Sequence, residues 1–392
     1  MTSDERTREQ TIARPATSSA LPLALTVLLA LAFLAGGLLR PGFNYDLLPY
    51  AALSKEMRGA GGKQETYREL EAQLGHSRYE SLFLLTPYKV RMYEDDVYFD
   101  ANLPLYRVKP LYVFLCSLVA RLTGSDVGAT YAVSSLATAA AVLLSWAILR
   151  RIGAPTGSWQ LALPLSWAVA GGLSLAQLST PDALAAFLTL LLVWIALAES
   201  WTAWRAACLV LVIVLDVAAR TDMVLFVASL CVCEAVFRPH HRRVAVIAGA
   251  AALASYLTIN RLVGSYGYVA VLNFAFVDRD RLLVPDLVPH VFGYLRALLF
   301  GVLMLFSSGY ATGGLLLAVS LSAVAAVREW QLRASPGGSH YNAPVLALSA
   351  TLVLYLVARF VLFPQPEARY ITGICVLSGV LFARAAQPMQ DT

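Results

Sequence analysis

The sequence predicts an all-α membrane protein of about ten transmembrane helices, with a long first external loop that carries surface helices. Three observations predict it. Of 392 residues, 58% are hydrophobic and 14% charged, against about 45–50% and about 25% in soluble domains. The apolar residues fall in runs of about 17–25, the length that crosses a hydrocarbon core of roughly 30 Å as a helix. The basic residues sit in short connections between these runs, so the net charge of +5 reports topology and gives no sign of a nucleic-acid partner.

Residues 1–20 are polar, rich in Thr, Ser and Arg, and read as a disordered cytoplasmic N-terminus. The polytopic membrane domain is expected over 21–387. Its first run, 21–39, is too long for a signal-peptide core and continues into Gly-Leu-Leu-Arg-Pro without a cleavage site, so it reads as a retained anchor. Arg6, Arg8 and Arg14 place its start in the cytoplasm. The loop 40–109 is then external. Within it, Leu47, Leu48, Ala51, Ala52 and Met57 recur at helical spacing beside Tyr50, Lys55, Glu56 and Arg58, the pattern of a short helix lying on the membrane. Glu65, Glu69 and Glu71 with Leu70 and Leu74 predict a second helix over 64–75.

The run 110–122 is apolar but short. The next, 128–149, ends in Arg150 and Arg151, which belong in the cytoplasm, so 110–122 is expected to return to its own side without crossing. Spans at 159–178, 182–198, 203–219, 222–237 and 244–262 then alternate. Arg205 and the Arg238 to Arg243 cluster fall inside, while Asp182, Arg220 and Asp222 fall outside. A second external loop, 263–298, holds Asp278, Arg279, Asp280 and Arg281 and an amphipathic stretch at 287–298. The region 299–327 is interrupted at Ser307-Ser308-Gly309-Tyr310, and a single crossing keeps Arg328 and Arg333 inside. Spans 343–362 and 371–387 follow, with Arg369 external between them and a cytoplasmic tail at 388–392. Both termini are expected in the cytoplasm of a cell whose inner membrane holds the chain.

Cys116, Cys208, Cys231, Cys233 and Cys375 all lie in apolar segments and form neither a disulfide framework nor a zinc pattern. His240 and His241 sit in a basic turn, where charge anchoring explains them better than metal binding.

The chemistry concentrates at the external surface. Asp46, with Tyr45 beside it, follows the first span closely enough to meet both a lipid headgroup and water. It has two compatible readings, an N-cap before Leu47-Leu48-Pro49 and a general base. Arg107 and Lys109 stand at the foot of an apolar segment, either as anchors for anionic lipids or as a grip on a phosphate. Glu94, Asp95 and Asp96 are either a solvated acidic turn or hard oxygen ligands for Mg2+ or Mn2+. Asp182, Arg220, Asp222 and Arg369 share the level of Asp46, more ionisable groups than anchoring needs, although Arg220 and Asp222 also suit a local ion pair. These are the parts for attacking a lipid-linked phosphate ester.

The placement of Asp46, the Lys109-Pro110-Leu111-Tyr112 turn, the Arg150-Arg151 end of a span, the Thr180-Pro181-Asp182-Ala183-Leu184 start of another, and Glu367-Ala368-Arg369-Tyr370 resemble the GT-C superfamily of membrane glycosyltransferases, in its bacterial protein-mannosyltransferase-like and aminoarabinose-transferase-like branch. The resemblance spans nearly the whole chain through short motifs. It implies a polyprenyl-phosphate sugar donor, an external acceptor, Asp46 as catalytic base, and Arg107, Lys109, Arg220 and Arg369 around the donor phosphate. Asp46 is followed by Leu47 and Leu48 where that branch has a second acid. The rival classes are a transporter or lipid flippase, whose sites lie nearer mid-membrane, and a non-catalytic relative acting in assembly.

Overall fold

A computed structural model describes residues 20–153, 158–198, 201–277, 287–307, 309–335, 341–365 and 367–386. The arginines of the N-terminus, the Asp278 to Arg281 cluster, Ser308 and the tail at 388–392 lie outside them.

Among the described residues the chain is helical, and its one β contact is an isolated bridge between Gly42 and Leu178. Helix α1 (Ala20–Leu39) shows why it sits in a membrane. Pro22, Thr26, Ala30, Phe33 and Gly37 form its single buried stripe, while Leu21, Leu28 and Leu31 are more than half exposed. An outer face of leucines on a helix of 20 residues suits a lipid environment. The stripe packs on α9 (Asp126–Arg151), the central helix. At Gly37 a Cβ would collide with Ser135 Oγ and the carbonyl of Ala176, so only glycine permits the approach.

Between these two lie the loop helices α2 (Leu47–Arg58), α3 (Lys63–Leu74), α4 (His76–Phe83), α5 (Pro87–Glu94), α6 (Asp96–Asn102), α7 (Pro104–Arg107) and α8 (Pro110–Thr123). The helix expected on the membrane surface, α2, is instead part of the core. Leu47 to Lys55 are buried without a break, because α3 covers it from outside while α8 and α9 hold it from below. An ionic buckle fastens it there: the fully buried Asp126 accepts from Ser54 Oγ (2.6 Å), pairs with Lys55 (3.1 Å) and meets Arg58. Glu69 of α3 joins through Lys55 (2.5 Å), Ser125 Oγ (2.8 Å) and the Val127 amide (3.1 Å). Between α7 and α8 the chain turns by 105°.

The membrane domain continues through α10 (Ser158–Val169), α11 (Gly172–Gln177), α12 (Asp182–Ala196), α13 (Ala203–Ala219), α14 (Val224–Phe237), α15 (Arg242–Leu262), α16 (Gly267–Phe276), α17 (Val291–Ser307), α18 (Gly309–Ala334), α19 (Ala343–Leu362) and α20 (Thr372–Ala385). Five helical segments are long and apolar enough to cross a membrane: Ala20–Leu39, Asp126–Arg151, Pro239–Leu262, Gly314–Ala334 and Ala343–Leu362, with a sixth if the bent pair of 96–107 and 110–123 counts as one. The ten expected spans are therefore not matched by ten helices of crossing length. The stretch 159–178 is two helices, since the first, with Pro164 inside it, ends at Val169 and Gly171 takes a left-handed φ of 85° between them. Helices α12, of 15 residues, and α14 and α20, of 14 each, are shorter than the roughly 20 residues a straight crossing needs. The stretch 287–298 is no separate surface segment, because α17 runs from Val291 to Ser307 across the expected boundary.

Candidate functional site

Two local devices bring distant segments to one level. Gly42 donates to the Gln177 carbonyl (3.0 Å), and Gln177 Nε2 donates to the Arg40 carbonyl (2.7 Å), which stitches the exit of α1 to the end of α11. Hydroxyls of α9 hold the next turn: Thr130 donates to Ser179 Oγ (2.9 Å) and Ser134 to the Thr180 carbonyl (3.0 Å). Asp46 at the start of α2 and Asp182 at the start of α12 thereby both line a cavity of about 360 Å³.

The cavity collects helix ends. Asp46, Lys109, Asp182, Arg220, Glu367 and Arg369 supply its charges, Tyr45, Tyr50, Tyr88, Tyr106 and Tyr370 its aromatic surface, and Val271, Phe274 and Phe363 its apolar side. Asp46 stands at the N-cap position of α2 but in helical geometry, φ −61° and ψ −20°, and its side chain makes no capping bond. A cap reaches back to the first-turn amides from extended backbone; here the carboxylate is turned outward. It accepts from Arg369 Nη1 (2.6 Å), Tyr106 Oη (3.2 Å) and Asn44 Nδ2 (3.3 Å).

Arg369 also binds Glu367 Oε2 through Nε (2.5 Å) and donates to Tyr370 Oη (3.0 Å), with Asp182 Oδ2 at 3.7 Å. Arg220, buried, grips Asp222 with Nε (2.9 Å) and Nη2 (2.6 Å) and meets Asp182 with Nη1. Arg359 lies 3.7 Å from Asp222. The guanidiniums of Arg359, Arg220 and Arg369 surround the ring of Tyr370 at 4.5, 4.6 and 4.9 Å. A tyrosine face attracts cations, so this ring allows three like charges to crowd together. Burial pushes the Asp222 carboxyl up, but Arg220, with Arg359 behind it, overrules that and holds it below the ordinary carboxylate range.

Lys109 differs from these arginines. It donates to the Leu105 carbonyl (2.7 Å) and lies over the rings of Tyr106 (5.1 Å) and Tyr50 (6.0 Å), with no ion-pair partner among the described residues. Burial pushes it down to about 8, against the pull of the Asp46 carboxylate. Tyr106 is driven far above its ordinary value by burial and then by Asp46, so it remains a neutral donor.

Of the residues expected from the sequence, Asp46, Tyr45, Lys109, Asp182, Arg220 and Arg369 line this cavity, and Asp222 supports it. Arg107 does not reach it. Successive helical residues diverge by about 100°; Tyr106 takes the inward direction, and Arg107 turns out to Glu56 (2.6 and 2.7 Å). Glu94, Asp95 and Asp96 lie away from this cavity and are engaged separately. Asp95 caps α6 by accepting from the Tyr98 amide (3.1 Å), Asp96 pairs with Lys63 (2.7 Å), and Glu94 is exposed. No group of three His, Cys, Asp or Glu that could hold a metal ion occurs among the described residues.

Tyr106 and Arg359 were given no role from the sequence, and Glu367 and Tyr370 entered only within the Glu367-Ala368-Arg369-Tyr370 motif. Arg359 carried a signal, a charge in the last turn of an otherwise apolar helix. Compared with family models, curated proteins and solved structures, the chain matches none. Fold and site thus define a membrane-embedded helical protein with an internally paired charged pocket.

Proposed function

We propose that the chain is a GT-C-like integral membrane glycosyltransferase that moves a sugar from a polyprenyl-phosphate donor to an acceptor outside the inner membrane. Asp46 takes the proton of the acceptor hydroxyl, which attacks the anomeric carbon; the bond from that carbon to the phosphate oxygen breaks, and the electron pair leaves on the polyprenyl phosphate. Lys109 meets that phosphate, flanked by Arg220 and Arg369. The single observation that carries this reading is that one cavity is lined by Asp46, by Lys109 without a carboxylate partner, and by tyrosines suited to sugar rings. The ten-span arrangement belongs to the same proposal, with the shorter apolar helices crossing as neighbours of the five long ones.

The test is lipid analysis of membranes from a strain lacking the protein. A polyprenyl-phosphate sugar accumulates there and clears when the wild-type chain is restored. An unchanged set of lipid-linked sugars contradicts the proposal. A flippase also places ionisable groups at helix ends, so what favours transfer over flipping here is the carboxylate of Asp46 in the same cavity as Lys109.

A further inference from the structure

Resting on the reading above, we propose that Arg369 masks Asp46 in the unliganded protein and exchanges it for the anionic group of the donor, so that the base becomes free only after the donor has bound. The sequence marked Arg369 as a plain phosphate ligand, and the geometry assigns it a different task. All three described partners of the Asp46 carboxylate are donors, and the shortest contact, 2.6 Å, is to Arg369. A carboxylate so occupied has few lone pairs left for a hydroxyl proton.

Arg369 is equally occupied. Its Nη1, Nε and Nη2 hold Asp46, Glu367 and Tyr370. A guanidinium between two carboxylates repels a further anion, so a phosphate gains full contact only by displacing one of them. Glu367 is two residues away on the same short segment and moves with Arg369. Both carboxylates line the cavity, but Asp46 is 323 residues away on a separate element and can part from Arg369 without the segment that carries it, so it is the partner that leaves. Tyr106 and Asn44 both belong to the loop side of the cavity and keep their contacts with Asp46 when Arg369 is lost. The released carboxylate then stays at the cavity wall with one strong donor fewer, ready for the acceptor. Donor binding precedes acceptor activation.

The experiment measures binding of a short-chain prenyl phosphate to the full chain in lipid nanodiscs, across a double-mutant cycle. Asp46→Asn removes the competitor for Arg369 and tightens binding about tenfold. Arg369→Gln weakens it about tenfold, and the double variant binds no more tightly than Arg369→Gln alone. Unchanged binding by Asp46→Asn overturns the exchange. So does an equal gain in the Arg369→Gln background, because the gain is then general charge relief without Arg369. If wild type and every folded variant fail to bind the probe while membranes carry intact protein, the functional reading fails instead. Should Asp46→Asn be poorly folded, Asp46→Ser removes the same charge and carries the same expectation.

Discussion

Raising the pH from 7 to 9 should strip the pocket of the cation that pairs with no carboxylate. Burial pushes Lys109 down to about 8; Asp46 pulls it up, Arg220 pushes it further down, and Asp222 and Asp182 pull weakly up. The sign follows from the depressed value: the free pocket keeps the proton below about 8 and releases it above. A bound phosphate stabilises the ammonium and moves its loss to higher pH. Protonation falls from about nine-tenths at pH 7 to about one-tenth at pH 9, so affinity for a prenyl phosphate should fall about tenfold over that interval. The phosphate itself contributes little slope, because its second ionisation near 6 is already about nine-tenths complete at pH 7. Lys109→Arg keeps its charge and should flatten the profile, binding more tightly than wild type at pH 9. Lys109→Gln removes a desolvated partner worth about 2 kcal/mol, roughly thirtyfold at pH 7, and should also be flat. The assay is equilibrium binding in nanodiscs at constant ionic strength. A wild-type profile that is level between pH 7 and 9, or wild-type affinity in Lys109→Gln, refutes the assignment.

Other consequences reach outward from the pocket. Arg107→Ala breaks only the exposed pair with Glu56, so binding and transfer should stay within about twofold of wild type, and stability should change by less than about 1 kcal/mol. Asp126→Asn leaves Lys55 and Arg58 without their buried carboxylate; thermal unfolding should show a loss of about 3 kcal/mol, while prenyl phosphate still binds the fraction that remains folded. Arg359→Leu removes one of the cations around Tyr370 and the second cation beside Asp222, and should weaken prenyl phosphate binding several-fold with little change in the amount of protein inserted.

The membrane class was legible because it depends on run length, and the common level of Asp46, Asp182, Arg220 and Arg369 because it depends on the position of charges between runs. The loop helix over 64–75 was legible for the same kind of reason, and it forms as Lys63–Leu74. The burial of α2 was not. Amphipathic spacing says that a helix has an apolar face, but not that Asp126, 68 residues from Arg58, will draw its polar face inward too. The run 159–178 was not legible as two helices, because hydropathy averages over the backbone break at Gly171. Within the site, Asp46 and Arg369 could each be placed at the end of an apolar run, yet their contact is a tertiary event between segments 323 residues apart. Arg107 and Lys109 looked interchangeable in sequence and separate only through the turn that points one outward.

Sugar transfer by the purified chain in vesicles, from a polyprenyl-phosphate sugar to a hydroxyl acceptor, compared between wild type and Asp46→Asn, tests the central claim most directly. Loss of a general base should lower transfer about a hundredfold or more while prenyl phosphate binding is retained or tightened. Transfer by Asp46→Asn within a few-fold of wild type would contradict the account.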